Sequence, residues 1–391
     1  MKKIVMIILL CACFRPVFPV FPNFHGARSL ALGYASLAFN YEINSIYLNP
    51  ALLSSYTYSL GGLQYENSFM DYFDFSEQLQ KISAVDLKNF QELGIDQKRD
   101  LLGSLQDVFS ANTGINGFQI TSSGYAGKGY GLAVEFVDAA IIFPLANDIL
   151  DKPVEQITNA DIASLHMRFI GFHYKDYSVA YSFSLSQGLA LGATVHYLKG
   201  KTSEFNVAVI DEPFQPSAGG REYLEYAWSE VQKDFSKINF DIGVSADLGP
   251  YFKAGVLIKN VAEPIISTEI RDLHLPRRVI AGLAFRPDMQ WAICLDIDVA
   301  ENDLYHNGEM VQPLSLGVEK GFFKNKFFLR AGFLNDLNEK YFFGRHAKIM
   351  YGVGLGFNLA SFLIDFAVSL DGLGHVKNLG ISGFYMIKGK N

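Results

Sequence analysis

At 391 residues the chain is long enough for two or three soluble domains, but its composition is not theirs: only 19% of residues are charged, 14% are aromatic, and there are 33 Phe, 20 Tyr and 35 Gly. Ordinary domains carry about 25% charged residues. A net charge of -7 with no Lys/Arg stripe excludes a nucleic-acid partner, because nothing is present to displace phosphate counterions.

Met1 to Phe14 begins with Lys2-Lys3 and runs apolar from Ile4, the layout of a secretory signal, taken here as residues 1–22. Leu10-Cys11-Ala12-Cys13 also reads as a loose lipobox that would acylate Cys13; ordinary cleavage near Val20 to Asn23 is the other reading. The run is too short for the ~20 residues of a membrane-spanning helix, and no later segment reaches that length without charge. Cys11 and Cys13 fall inside the leader, which leaves Cys294 and no internal disulfide framework.

Residues 23–54 come next, a segment rich in small side chains (Gly26, Ala27, Ser29, Gly33, Ala35, Ser36, Ala38) that suits close packing inside another structure. Asn49-Pro50 supplies a fixed turn, since proline locks φ. From residue 55 onward, period-two alternation dominates. Val279, Ala281, Leu283 and Phe285 alternate with Ile280, Gly282 and Ala284; Trp291, Ile293, Leu295 and Ile297 alternate with Ala292, Cys294, Asp296 and Asp298. Strands are expected at 57–66, 116–123, 129–142, 172–185, 189–205, 235–247, 251–260, 277–286, 289–299, 311–320, 326–335, 348–358, 361–370 and 376–387. Their connections alternate short and long, and an even count with that asymmetry is what a transmembrane barrel requires. Leu165 to Tyr174 cannot be a separate strand without breaking the alternation, so it belongs to the outer loop or extends a strand. The fold class expected is all-β, a transmembrane antiparallel β-barrel of about 14 strands over residues 55–391. A soluble β-sandwich is the competing fold.

The longest loop carries helix signals: Leu101, Leu102, Leu105, Val108 and Phe109 fall at helical spacing after Asp96, and Ala84 to Leu93 precedes Gly94. These helices either pack on the barrel mouth or offer a groove to an apolar ligand. Tyr223, Tyr226 and Trp228 of the 206–236 loop are candidates for the same rim.

Motifs for enzyme chemistry fail on context. Gly352-x-Gly354-x-Gly356 is spaced by two along a strand and makes a smooth inner wall, whereas a dinucleotide site needs a strand-turn-helix. The eight His show no HExxH pair, and no Gly-x-Ser-x-Gly elbow occurs. No enzyme, metal or cofactor is therefore expected.

The order Gly26-Ala27-Arg28-Ser29-Leu30-Ala31-Leu32-Gly33, then Ser45-Ile46-Tyr47-Leu48-Asn49-Pro50-Ala51-Leu52, resembles the opening and the N-P-A hatch motif of the FadL-like superfamily of outer membrane barrels. That superfamily includes fatty-acid transporters and PorV-type secretion components. LPRRVIAGLAFRP, LDIDVAEND, LSLGVEKGF and FFLRAGFLND are similar to its TraF-like branch, named for conjugal transfer. Tyr34 departs from the pattern by standing where a second glycine is common.

The resemblance implies a fourteen-strand barrel in the outer membrane, surrounded by its lipid, with an N-terminal hatch in the lumen, taking up a hydrophobic small molecule such as a long-chain fatty acid. The alternative is a PorV- or TraF-like component that anchors or assists an exported protein partner. Hatch and gate candidates are Gly26, Ala27, Arg28, Asn49, Pro50 and Ala51, with Asn49-Pro50 as pivot. Lumen polar candidates, read from inward strand positions and able to pair with Arg28 or one another, are Glu135, Asp241, Asp296, Glu319 and Arg330.

Overall fold

The computed structural model describes residues 26–39, 42–72, 81–82, 85, 87–109, 114–145, 152–209, 232–303, 310–337, 349–359, 361–372, 374 and 376–387. The leader, the lipobox cysteines, the C-terminal KGKN and the Tyr223–Trp228 cluster lie outside these residues.

Fourteen antiparallel strands close into one barrel: β1 (Ser59–Tyr72), β2 (Gly114–Gly127), β3 (Tyr130–Pro144), β4 (His166–Ser186), β5 (Leu189–Ala208), β6 (Lys233–Asp247), β7 (Phe252–Lys259), β8 (Arg278–Phe285), β9 (Trp291–Asp298), β10 (Pro313–Phe322), β11 (Phe327–Asp336), β12 (Ile349–Leu359), β13 (Phe362–Leu370) and β14 (Val376–Ile387). Each pairs with its sequence neighbours, and β1 pairs with β14 to close the ring, Ser59 opposite Ile387. No edge is left to template aggregation. Alternation dictates this outcome: every strand has one apolar outer face, which lipid accepts, and one small or polar inner face. Leu132, Val179, Val195, Ile238, Leu329, Val353 and Phe366 point out and are exposed, while Glu135, Asn239, Asp241, Arg330 and Asp365 are buried inside. Stacked ring pairs such as Tyr125–Tyr130, Phe252–Phe285 and Phe362–Tyr385 collect near the short-turn rim, where an aromatic girdle belongs.

The wall is uneven. β4 and β5 run 21 and 20 residues, whereas β7, β8 and β9 run 8 each. At about 3.3 Å per residue the long pair reaches far beyond the ~25 Å apolar band of a barrel. Residues 166–174 are thus the outer extension of β4.

That extension carries the helices. α3 (Ile95–Phe109) buries Leu101, Leu102, Leu105 and Val108 against Ala140, Ile142, Met167, Phe169 and Val207 on the outer faces of β3 to β5. A 3₁₀ turn, Leu87–Glu92, stands where the longer Ala84–Leu93 helix was expected, and α4 (Asn159–Ala163) is held by a Thr158–Asp161 capping box. The apolar face of α3 is filled by the barrel wall, so it offers no open groove.

Inside the barrel lie α1 (Gly26–Ala31), α2 (Ser45–Leu48) and a 3₁₀ turn, Pro50–Ser55. α1 ends in a left-handed stop at Gly33 (φ 61) and Tyr34 (φ 71), with Tyr34 N donating to Ser29 O at 2.8 Å. Leu30, Leu32, Leu37, Ile43, Ile46 and Tyr47 are at most 2% exposed. A fourteen-strand barrel is too wide for its own side chains to fill, and this segment takes up the space.

Candidate functional site

The lumen is layered, and strand register builds the layers. The middle layer is charged. On its β9 to β14 side, Glu319 (β10) lies opposite Arg330 (β11) and accepts from its Nε at 2.6 Å, while Arg28 of α1 donates Nη2 to the other Glu319 oxygen at 2.9 Å. Arg330 also pairs with Asp365 on β13, and Arg28 stands 3.9 Å from Glu42. On the opposite side, the His196 ring (β5) lies between two carboxylates, Nδ1 2.8 Å from Asp176 and Nε2 3.3 Å from Asp241, and Lys259 is 3.9 Å from Asp241. Ser178 Oγ donates to Asp176 at 2.8 Å and sits 2.9 Å from His196 Nδ1. Serine, histidine and aspartate here do not form a nucleophile and its base: Asp176 takes both partners, and the group is buried beneath Tyr47, whose ring is 5.9 Å from the imidazole. Among the described residues no cluster of three His, Cys, Asp or Glu side chains is arranged to hold a metal.

The hatch backbone is tied into this layer. Gly26 N donates to Glu66 at 3.1 Å and Ala27 N to Ser382 at 3.0 Å; Ser36 N and Leu37 N both donate to Asp296 Oδ2, at 2.7 and 2.8 Å. Asn49 accepts from Ala51 N at 3.1 Å, capping the 3₁₀ turn that Pro50 opens, and its amide donates to Leu37 O at 3.2 Å and Val244 O at 3.1 Å. Asn49-Pro50 is therefore clamped to the wall and to the other half of the hatch.

Glycines set the fit between the two bodies. A Cβ at Gly131 would stand 2.6 Å from Ile46, at Gly192 2.8 Å from Ala51 Cα, at Gly282 2.9 Å from Leu37 and at Gly317 2.7 Å from Leu32 Cβ. Gly352 and Gly354 meet the backbone and side chains of Leu30 and Ala31 in the same way. The bare inner wall lets backbone lie on backbone.

Above the charged layer, toward the long loops, the inner wall turns apolar. Phe118, Ile120, Val137, Ile141, Ile170 and Phe172 of β2 to β4 face Leu334 and Met350 of β11 and β12, with Tyr34 of the hatch packed against them. Leu273 completes the cluster from the ribbon Ile265–Ser267/Asp272–His274. That ribbon is pinned to the wall where Arg271 Nε and Thr268 Oγ1 donate to Glu204, at 2.9 and 2.6 Å.

Of the lumen candidates, Glu319 and Arg330 meet at Arg28, Asp241 belongs to the His196 group, Asp296 binds hatch backbone, and Glu135 lies cross-strand from Asp176. Sequence reading missed His196, Ser178, Asp176, Glu42, Asp365 and the glycine ring. Inward parity was the available signal: His196 and Thr194 fall on the same face as Gly192.

One titration follows. Burial pushes the Glu42 carboxyl up to about 8, reinforced by Asp365 and resisted by Arg28 and Arg330. With Glu42 neutral, its cluster holds two positive and two negative charges. The folded chain then binds more protons than the unfolded one between about 4.5 and 8, so hatch seating is firmest below that window and weakens as pH rises through it. Protease clipping of the hatch in reconstituted protein, followed against pH, is expected to rise toward pH ~8 and to lose that dependence in Glu42→Gln.

A family model described as "F plasmid transfer operon, TraF, protein" matches residues 46–298. The fold is similar to the CymD monoaromatic hydrocarbon channel, at 13% identity and TM-score 0.53 over 94% of this chain and 98% of that one. It is similar too to the P. putida toluene transporter TodX, at 13% and 0.52 over 94% and 99%, and to a Pseudomonas aeruginosa FadL homologue, at 11% and 0.51 over 95% and 98%. No curated protein matches the chain. At these identities the structural likeness establishes the fold, a FadL-type barrel.

Proposed function

The chain belongs to the family of the F plasmid transfer operon TraF protein, and from that membership and its barrel we propose that it takes up a hydrophobic small molecule across the outer membrane. Residues 23–54 act in this reading as the hatch and residues 55–391 as the conduit, after an N-terminal leader has exported the chain. One observation carries it: the inner wall above the hatch is apolar, where a water-filled barrel has a polar lumen. Water gains nothing from Phe118, Ile170, Phe172 and Leu334; an apolar molecule entering from the long-loop side does, by about 25 cal/mol per Å² of surface removed from water. The structures most like it include a toluene transporter and a hydrocarbon channel, which supports a channel over an enzyme.

A long-chain fatty acid is the ligand the sequence resemblance suggests. The test places a charge on the apolar wall: Phe172→Asp is expected to lower uptake of a labelled hydrophobe by at least tenfold while the barrel still assembles. Unchanged uptake would sink the reading. Family membership supports a second reading, an outer membrane component that assists protein secretion or transfer. Recovery of a stoichiometric exported protein with the solubilised barrel, with no bound hydrophobe, would favour it.

A further inference from the structure

Directly below the apolar wall is a small cavity with room for about 40 Å³ of water-sized occupants. Tyr34 and Leu334 line it and also belong to the apolar cluster above, so it is the floor of the apolar path. Its polar lining is unequal. Arg278 donates Nε and Nη2 to Asp298 Oδ2 at 2.9 and 2.7 Å, and Asn302 donates to the same oxygen at 3.0 Å, so the one cation is matched by its own carboxylate. Asp296 is a second carboxylate, 93% buried. Its Oδ2 accepts the two hatch N–H groups, while its Oδ1 is buried and has no hydrogen-bond partner. A buried acceptor left without a donor is destabilised, and the wall beside this one is the bare backbone of Gly282.

Resting on the uptake reading above, we propose that the carried molecule has an apolar body and a hydrogen-bond-donating head, an alcohol or a protonated amine rather than a carboxylate, and that Asp296 Oδ1 receives the head. The space fits a head group and not a whole ligand; the body lies against Phe172, Leu334 and their neighbours. A carboxylate head would meet two aspartates with the only arginine already engaged, whereas a hydroxyl or ammonium completes the acceptor. A charge-assisted hydrogen bond in a buried site corresponds to a preference of about 10- to 100-fold.

The test measures binding of dodecanol, dodecylamine and dodecanoate to the full-length protein in nanodiscs. Wild type is expected to bind the alcohol and the amine at least tenfold more tightly than the acid. Asp296→Asn keeps an acceptor for Ser36 and Leu37 but presents an amide donor, and it is expected to shift the preference toward dodecanoate, a change of sign that misfolding cannot produce. Equal or tighter binding of dodecanoate by wild type overturns the head-group assignment and leaves the uptake reading standing. A wild-type preference that Asp296→Asn leaves untouched overturns the role of Asp296. Should Asp296→Asn fail to assemble, the wild-type ranking alone decides. If none of the three binds, the uptake reading itself fails.

Discussion

Gly192→Leu is expected to unseat the hatch while leaving the barrel intact. Gly192 faces inward on β5, and a Cβ there would stand 2.8 Å from Ala51 Cα and nearer still to the backbone joining Pro50 and Ala51. Neither side can yield by turning a side chain, because the clash is with backbone. β5 is held on both edges by ladders to β4 and β6, whereas the 3₁₀ turn is a six-residue piece tied mainly by Asn49. Overpacking costs about 1–3 kcal/mol in a core that can relax, and more where it cannot. The hatch is therefore what moves. The expected result is a barrel that keeps its heat-modifiable migration on a gel but whose hatch is clipped rapidly by a protease added from the short-turn side. Wild-type clipping rates in Gly192→Leu would show that the close fit is unimportant.

Glu319→Ala has the second large effect, through charge. Glu319 accepts from Arg28 and Arg330 at once, and all three are buried. Its removal leaves two guanidinium groups facing each other, Arg330 still paired to Asp365 and Arg28 with only the longer 3.9 Å contact to Glu42. Removing one partner of a buried ion pair typically costs about 3–5 kcal/mol, because the remaining charge has lost both water and partner. The expected loss falls on the hatch-to-wall junction, read as thiol labelling of a cysteine placed at Ser29, which is fully buried in the wild type. Glu319→Gln keeps an acceptor oxygen and should label less. Removing an arginine as well, as Glu319→Ala with Arg330→Met, should restore part of the protection. A Glu319→Ala protein that labels no faster than wild type would mean that the cluster does not hold the hatch.

The barrel could be read from the sequence because lipid imposes one rule on every strand. Ile238, Phe240 and Ile242 had to face out, Asn239 and Asp241 in, and the alternation of short and long connections forbade an odd strand at 165–174. Boundaries shifted where the wall rises above the membrane: β4 and β5 continue past the lipid, and there the outer face is apolar because helices cover it.

The site was less legible because it is made by register, not by any one strand. Ser178 and His196 are 18 residues apart and become neighbours only when β4 pairs with β5. Arg28 and Glu319 are 291 residues apart. Glycines such as Gly192 and Gly317 looked like ordinary small inner residues; their purpose shows only when the hatch lies against them. Asn49-Pro50 stood out as a turn, yet nothing local to it announced that the Asn49 amide reaches Val244.

The central claim is that the N-terminal segment closes the lumen, with an apolar path ending on it. Ion conductance of the reconstituted protein in a planar bilayer tests this most directly, wild type beside Gly192→Leu. The account expects a wild type that is electrically silent and a Gly192→Leu barrel that opens steps of a wide pore. A wild type that conducts as a wide pore on insertion would contradict it.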